Sequence, residues 1–292
     1  MRKESKSALS GFYAPIDLPT VFPITQPKFS TPPDTPHVHN CFEIGLCRSG
    51  AGVFIVMEKI FSCVAGDAIF INHKEFHILK NASPLNSDWK FINLDPAGLL
   101  AGWVSPDEAV LNVSRLCGRN FSNLVHSKNH PDITSLVHEL ITEMEKGGNG
   151  FKSAVRALLW ALLVKLHRLI PVERVDEEAN DPEDIIRLYP ALTDISSHYS
   201  TPLAIHELAM LCKCSLSTFR RIFFRCFGCS PLEYLNEFRL KVAITLLLST
   251  DRSILEIALD SGFPTLSNFN RLFKTRFKKS PREVRRQKVA DA

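Results

Sequence analysis

The last third of the chain repeats itself. Phe219, Arg221, Ile222, Phe223, Phe227, Ser230, Pro231 and Glu233 recur fifty residues on as Phe269, Arg271, Leu272, Phe273, Phe277, Ser280, Pro281 and Glu283. Upstream, Ile205, Glu207, Leu208 and Ala209 recur forty-nine residues on as Ile254, Glu256, Ile257 and Ala258. The single-residue difference falls between these blocks, where a turn tolerates it. Apolar residues at i, i+3 and i+4, as in Phe219, Ile222 and Phe223, mark a helix with one buried face. Ahead of it lies a short helix with a small residue, Ala209 or Ala258, at the crossing, and then a turn over 211–215 or 260–265. That grammar is a helix-turn-helix, written twice. Both copies close on Ser-Pro-x-Glu, at Ser230 and Ser280, which predicts a capped helix start with proline in its first turn.

At 100° per residue, Ser217 and Arg221 point away from the apolar stripe of the first copy, with Thr218 and Arg220 on its flanks. The second copy turns Ser267 and Arg271 outward, with Asn268 and Asn270 beside them. Hydroxyl, amide and guanidinium groups are those that read base edges in a major groove. Charge agrees with that reading. Residues 201–292 hold sixteen Lys or Arg against eight Asp or Glu, whereas the first 200 residues hold four more acids than bases, within a total of +4. A basic module that meets a polyanion is thus joined to a mildly acidic one that does not. A helix over about residues 232–248 spans about 25 Å. With helix width added, this holds the two outer faces on successive major grooves about 34 Å apart.

A chain of 292 residues, 45% hydrophobic and 23% charged, suits about two globular domains. The longest apolar run, Ala157 to Val164, falls short of the roughly 20 residues that cross a bilayer. The first ten residues are charged and lack the apolar segment of a signal peptide, so the expected compartment is the reducing cytoplasm. Eight cysteines then read mainly as small buried hydrophobes. Cys212-x-Cys214 with Cys226-x-x-Cys229 offers a zinc alternative, but the second copy has no cysteines at the positions equivalent to 226 and 229.

Residues 1–36, rich in Pro, Ser and Thr beyond residue 10, read as an extended arm with little regular structure. Over 37–129 short β-branched and aromatic runs, 42–46, 52–57, 68–72 and 89–94, predict a small antiparallel barrel or sandwich. Residues 130–170 read as a helical hairpin broken at Gly147-Gly148-Asn149-Gly150. Its apolar stripes either cover the barrel or pair two chains into a homodimer, with Leu159 and Leu163 in the seam. The acidic, proline-flanked stretch 171–184 reads as a linker, leaving 185–292 for the double helix-turn-helix.

The C-terminal pattern resembles the AraC/XylS family of bacterial transcription regulators. It is carried by Ile205-x-x-Leu208-Ala209, Ser215-x3-Phe219-x-Arg221-x-Phe223, Gly228-x-Ser230-Pro231-x-x-Tyr234-x4-Arg239-x3-Ala243-x-x-Leu246-Leu247, Ile254-x-x-Ile257-Ala258-x3-Gly262-Phe263 and Phe269-x-Arg271-x-Phe273-Lys274. The resemblance implies double-stranded DNA as partner, with both copies in adjacent major grooves, and RNA polymerase as a further partner if the chain is an activator. Lys278 stands where the first copy has Gly228, and Val284 where an aromatic is usual.

Upstream, His37-x-His39-x3-Glu43-x6-Gly50 and Gly66-x5-Asn72-x4-His77-x3-Asn81 resemble the two cupin motifs, departing from them at Thr31, Asn72 and Lys74. His37, His39, Glu43 and His77 are therefore the candidate effector site. The same four are a candidate 3-His-1-carboxylate set for a divalent first-row metal. The fold class that follows is multidomain α+β: a cupin-like antiparallel β-barrel with a helical hairpin, then an all-α double helix-turn-helix. No catalytic residue is singled out, since a double DNA reader has no place on a simple enzyme and fold alone does not grant chemistry. The competing readings are a metal-dependent cupin enzyme and a regulator controlled by a protein partner.

Overall fold

The computed structural model describes residue 14 and residues 16–30, 37–57, 59–73, 75–81, 87–102, 113–118, 120–170 and 182–290. Thr31, Lys74 and most of the 171–184 linker lie outside the described residues.

Two antiparallel sheets face each other. The first has five strands in the order β1 (Lys28–Ser30), β7 (Asp88–Leu94), β2 (Phe42–Ser49), β5 (Ala68–Ile71) and β8 (Leu124–Val125). The second has three: β4 (Lys59–Val64), β3 (Ala51–Val56) and β6 (His77–Asn81). Alternation along each strand sorts the side chains into three cores. Cys47, Ile69, Ile71, Trp89 and Phe91 meet Phe54, Val56, Cys63 and Leu79 between the sheets. On the outer side of the first sheet, Phe42, Ile44, Leu46, Phe70, Ile92 and Leu94 pack against α2 (Pro131–Lys146) and α3 (Phe151–Arg168). A short helix α1 (Pro96–Leu99) closes that side. With both faces covered, the strands read as continuous apolar runs such as AGVFIV rather than alternating ones.

Two expectations are corrected here. The arm, expected to be extended with little regular structure, contributes β1, which pairs with β7, and an isolated bridge from Ile24 to Leu94. The apolar stripe of the hairpin is used within one chain. Val155, Leu159, Leu162, Leu163 and Leu166 are fully buried against the first sheet and α2. Leu159 and Leu163 therefore belong to the monomer's core, and a lysine at either would unfold this domain rather than separate two chains.

After α4 (Pro182–His198) come α5 (Ile205–Leu211), α6 (Leu216–Phe227), α7 (Pro231–Ser249), α8 (Ile254–Asp260), α9 (Leu266–Phe277) and α10 (Pro281–Ala290). Ser230 and Ser280 each accept from the backbone of the glutamate three residues on, and that glutamate accepts from the serine's own N–H, as the sequence predicts. The core of these helices does not end at α4. Val53, Ile55, Ile60 and Ile78 on the outer side of the second sheet join it, so that sheet is a wall shared by both halves. Ser62 donates to the Lys241 carbonyl of α7 across this boundary (3.1 Å).

Candidate DNA interface and sensor site

Helices α5–α6 and α8–α9 are the two helix-turn-helix units. Phe219, Ile222 and Phe223 of α6 are buried, as are Phe269 and Phe273 of α9, which fixes the opposite faces toward solvent. Ser217, Arg220, Arg221, Ser267, Asn270 and Arg271 are exposed, and Thr218 and Asn268 half-buried. Each reading helix starts on a hydroxyl cap: Ser215 accepts from the N–H of Thr218 (3.3 Å), and Thr265 from that of Asn268 (3.2 Å). The units differ at one contact on this surface. Arg271 donates to the Asn268 side chain (3.1 Å), whereas Thr218 in the equivalent place accepts from the Ser215 hydroxyl (3.0 Å).

In the sensor domain three of the four candidate residues come together. His39, Glu43 and His77 are buried, and one ligand atom from each lies within 4.8 Å of the others. Glu43 points into the barrel from β2, and His77 opens β6. His39 lies on the approach to β2 rather than in the strand. His37 adjoins the trio through His77, its ring centroid 4.2 Å from that of His77 against 4.8 Å between His39 and His77, but it lies 6.1 Å from that of His39 and its nitrogens are not among the three clustered ligand atoms. It is locked in place, because His37 and His77 exchange both backbone hydrogen bonds at 3.1 Å. The arm runs alongside, with Ala14 N–H on the Val38 carbonyl (2.9 Å) and Ile16 N–H on the Asn40 side chain (2.8 Å).

The orientation of the two imidazoles follows from their backbone partners. His39 Nδ1 is 3.2 Å from the Cys41 carbonyl, and His77 Nδ1 is 2.9 Å from the Glu75 carbonyl. A ring nitrogen facing a carbonyl carries the proton, which leaves each Nε2 as the nitrogen that takes either a metal or a second proton. These Nε2 atoms lie 3.3 Å and 3.7 Å from the Glu43 carboxylate oxygens, yet neither makes a hydrogen bond of proper geometry. Ligands bound about 2.1 Å from one ion at right angles sit about 3 Å apart, so these separations fit a shared cation. In the protein as described, the proton inventory is split. Burial pushes His39 down, but its bond to Cys41 and the adjoining Glu43 carboxylate outweigh that and hold it up at about 10. Burial, with the neighbouring His37 and His39, pushes His77 down to about 3 against the pull of Glu43. Glu43 itself, raised by burial, is brought below its usual range by His39 and then His77. The site therefore holds an ionised His39–Glu43 pair beside a neutral His77.

The sequence did not single out Phe76 or Tyr189, which stack with centroids 4.1 Å apart beside this site. The available signal was Phe76's position, one residue from His77.

Two family models match the chain: an AraC-like ligand binding domain over residues 29–163 and a helix-turn-helix domain over residues 208–287. The chain is 24% identical over 258 residues to the HTH-type transcriptional activator RhaS of Salmonella typhimurium, covering 87% of this chain and 88% of that one. Among solved structures it is similar to an AraC-type regulator from Chromobacterium violaceum, at 29% identity and a TM-score of 0.35, over 37% of this chain and 96% of that one. It is also similar to unsaturated fatty acid bound ToxT from Vibrio cholerae, at 14% identity and a TM-score of 0.35, over 92% of this chain and 96% of that one.

Proposed function

The chain belongs to the AraC/XylS family of transcription regulators, and on that footing we propose that it reads operator DNA with both helix-turn-helix units under control of a small molecule held at the barrel site. The reading residues are Ser217, Thr218, Arg220 and Arg221 in one groove and Ser267, Asn268, Asn270 and Arg271 in the next. One observation carries this: equivalent polar residues lie outward on two equivalent helices whose aromatic faces are fully buried. The protein works in the cytoplasm as a homodimer, and RNA polymerase is a further partner if it activates transcription. Since the Leu159–Leu163 stripe is spent inside the monomer, a pairing surface on α3 would use its half-exposed face with Trp160 and Val164.

DNA fragments retained by the purified full chain are to be sequenced and the best duplex used in titrations. Arg221→Ala and Arg271→Ala should each weaken specific binding by about 1–3 kcal/mol. Unchanged affinity and sequence preference in both variants would remove these residues from the reading face.

A second reading concerns what the barrel site holds. Two buried Nε2 atoms aimed at one carboxylate, neither in a well-formed hydrogen bond, favour a divalent first-row metal on His39, Glu43 and His77, with His37 alongside. Such a metal would supply a Lewis-acidic anchor for an oxygen-bearing effector. Elemental analysis of the purified protein decides this: a stoichiometric transition metal, lost in Glu43→Gln, is the expected result, and a metal-free wild type refutes it.

A further inference from the structure

The chain segments that carry the barrel site each place a neighbour on the other side of the wall. Val38 lies between His37 and His39, and Phe76 and Ile78 flank His77. Val38, Phe76 and Ile78 are all buried in the core that contains Leu188, Tyr189 and Leu192 of α4. Phe76 lies flat on Tyr189, with ring planes 17° apart. Beyond Tyr189, α4 packs against α5 and α6, and Asp184 of α4 forms an ion pair with Arg225 of α6. A continuous path of close contacts thus leads from the ligand cluster to the first reading helix.

The first link in that path is specific. His77 Nδ1 binds the carbonyl of Glu75, an atom of the same peptide unit that carries the N–H of Phe76. A movement of the His77 ring toward Glu43 therefore pulls on the peptide plane that sets Phe76. Because interiors are close-packed and do not deform continuously, such a shift must be taken up at the next contact, which is the stack.

We propose that the Phe76–Tyr189 stack transmits the state of the His39–Glu43–His77 site to α4 and through it to the first DNA-reading helix. This rests on reading that cluster as the ligand site. A ligand that tightens the cluster binds the two arrangements of the stack with different affinity, and that difference is the coupling.

The test needs no identified effector. The affinity of the full-length protein for a duplex it selects from a random pool is measured for wild type, His77→Ala, Tyr189→Leu and the double variant. His77→Gln replaces His77→Ala if the latter melts below the assay temperature. The expected result is a shift in Kd of about fivefold or more from the His77 change in the wild-type background, falling below about twofold in the Tyr189→Leu background. Ile195→Val, which trims α4 away from the stack, should leave the effect of the His77 change intact. The proposal is overturned by no shift in the wild-type background, by an equal shift in both backgrounds, or by equal uncoupling from Ile195→Val. Titration with Co(II), followed by visible absorbance, reports on the metal independently. A missing band in wild type refutes the metal reading and leaves the outcome of the affinity cycle standing.

Discussion

In the first helix-turn-helix unit the turn passes through Lys213 at φ 51°, and α6 ends on Gly228 at φ 67°. In the second unit the turn passes through Gly262 at φ 86°, and α9 ends on Lys278 at φ 58°. Each unit thus needs two left-handed residues at equivalent places, and each supplies one glycine and one lysine in the opposite order. Left-handed backbone costs a residue with a Cβ roughly 1–2 kcal/mol, offset in part by the entropy that glycine loses on folding. What differs is space. A Cβ on Gly228 would meet nothing within 4 Å, whereas one on Gly262 would lie 2.4 Å from the Tyr199 carbonyl and 2.8 Å from Arg239 Nε. Those two atoms are themselves joined by a 2.7 Å hydrogen bond. Gly228 is a matter of backbone preference, and Gly262 a matter of room.

The largest effect should come from removing that room. Gly262→Ala would force the Arg239–Tyr199 contact apart and destabilise the protein by about 3 kcal/mol. Gly228→Ala should cost only about 1 kcal/mol. Urea denaturation of both variants checks the contrast, and equal midpoints would erase it.

A smaller difference lies at the start of the first helix in each unit. Ser253 and Glu256 form a reciprocal cap on α8, but α5 begins at Ala204 with no side-chain cap although Glu207 is in place. Ala204→Ser should complete the box and stabilise the first unit by about 1 kcal/mol, visible as a raised midpoint. Lys278→Gly should add about 0.5–1 kcal/mol by relieving the left-handed strain, and thermal melting of this variant against wild type measures it.

Acid offers the mildest probe. The serine side chain and N–H at the start of α8 hold the Glu256 carboxyl below its usual range. A carboxyl with a lowered folded value stabilises the protein above its unfolded value, about 4.3, and this contribution is lost as pH falls through the folded value. Glu256→Gln should flatten stability against pH in that window relative to wild type. Matching pH profiles for this variant and wild type would show that the cap has no thermodynamic weight.

The repeat made this half of the molecule legible. Caps, turns and the Phe219–Ile222–Phe223 stripe are local signals, and each is seen twice. The barrel was legible only in part. His39, Glu43 and His77 follow from spacing, but spacing does not encode that His37 reaches this group by pairing with His77 on another strand, a non-local contact. Strand β1 was missed for the same reason: three residues of an arm become a strand only because the edge of β7 receives them. The hairpin stripe showed its apolar face but not its partner, since Leu159 packs equally well on a sheet of its own chain or on a second copy.

The wall shared between the two halves bears on how the protein can be taken apart. A cut between residues 170 and 182 would leave Val53, Ile55, Phe76 and Ile78 bare on one fragment and Leu188, Tyr189 and Leu192 bare on the other. Exposed apolar patches of that kind drive association in solution. Each half produced alone is then a sticky fragment, and its solubility, aggregation and DNA affinity would describe that new surface as much as the native domain. Substituting these wall residues with polar ones in the fragment, rather than shifting the cut point, is the physical route to a well-behaved DNA-binding half.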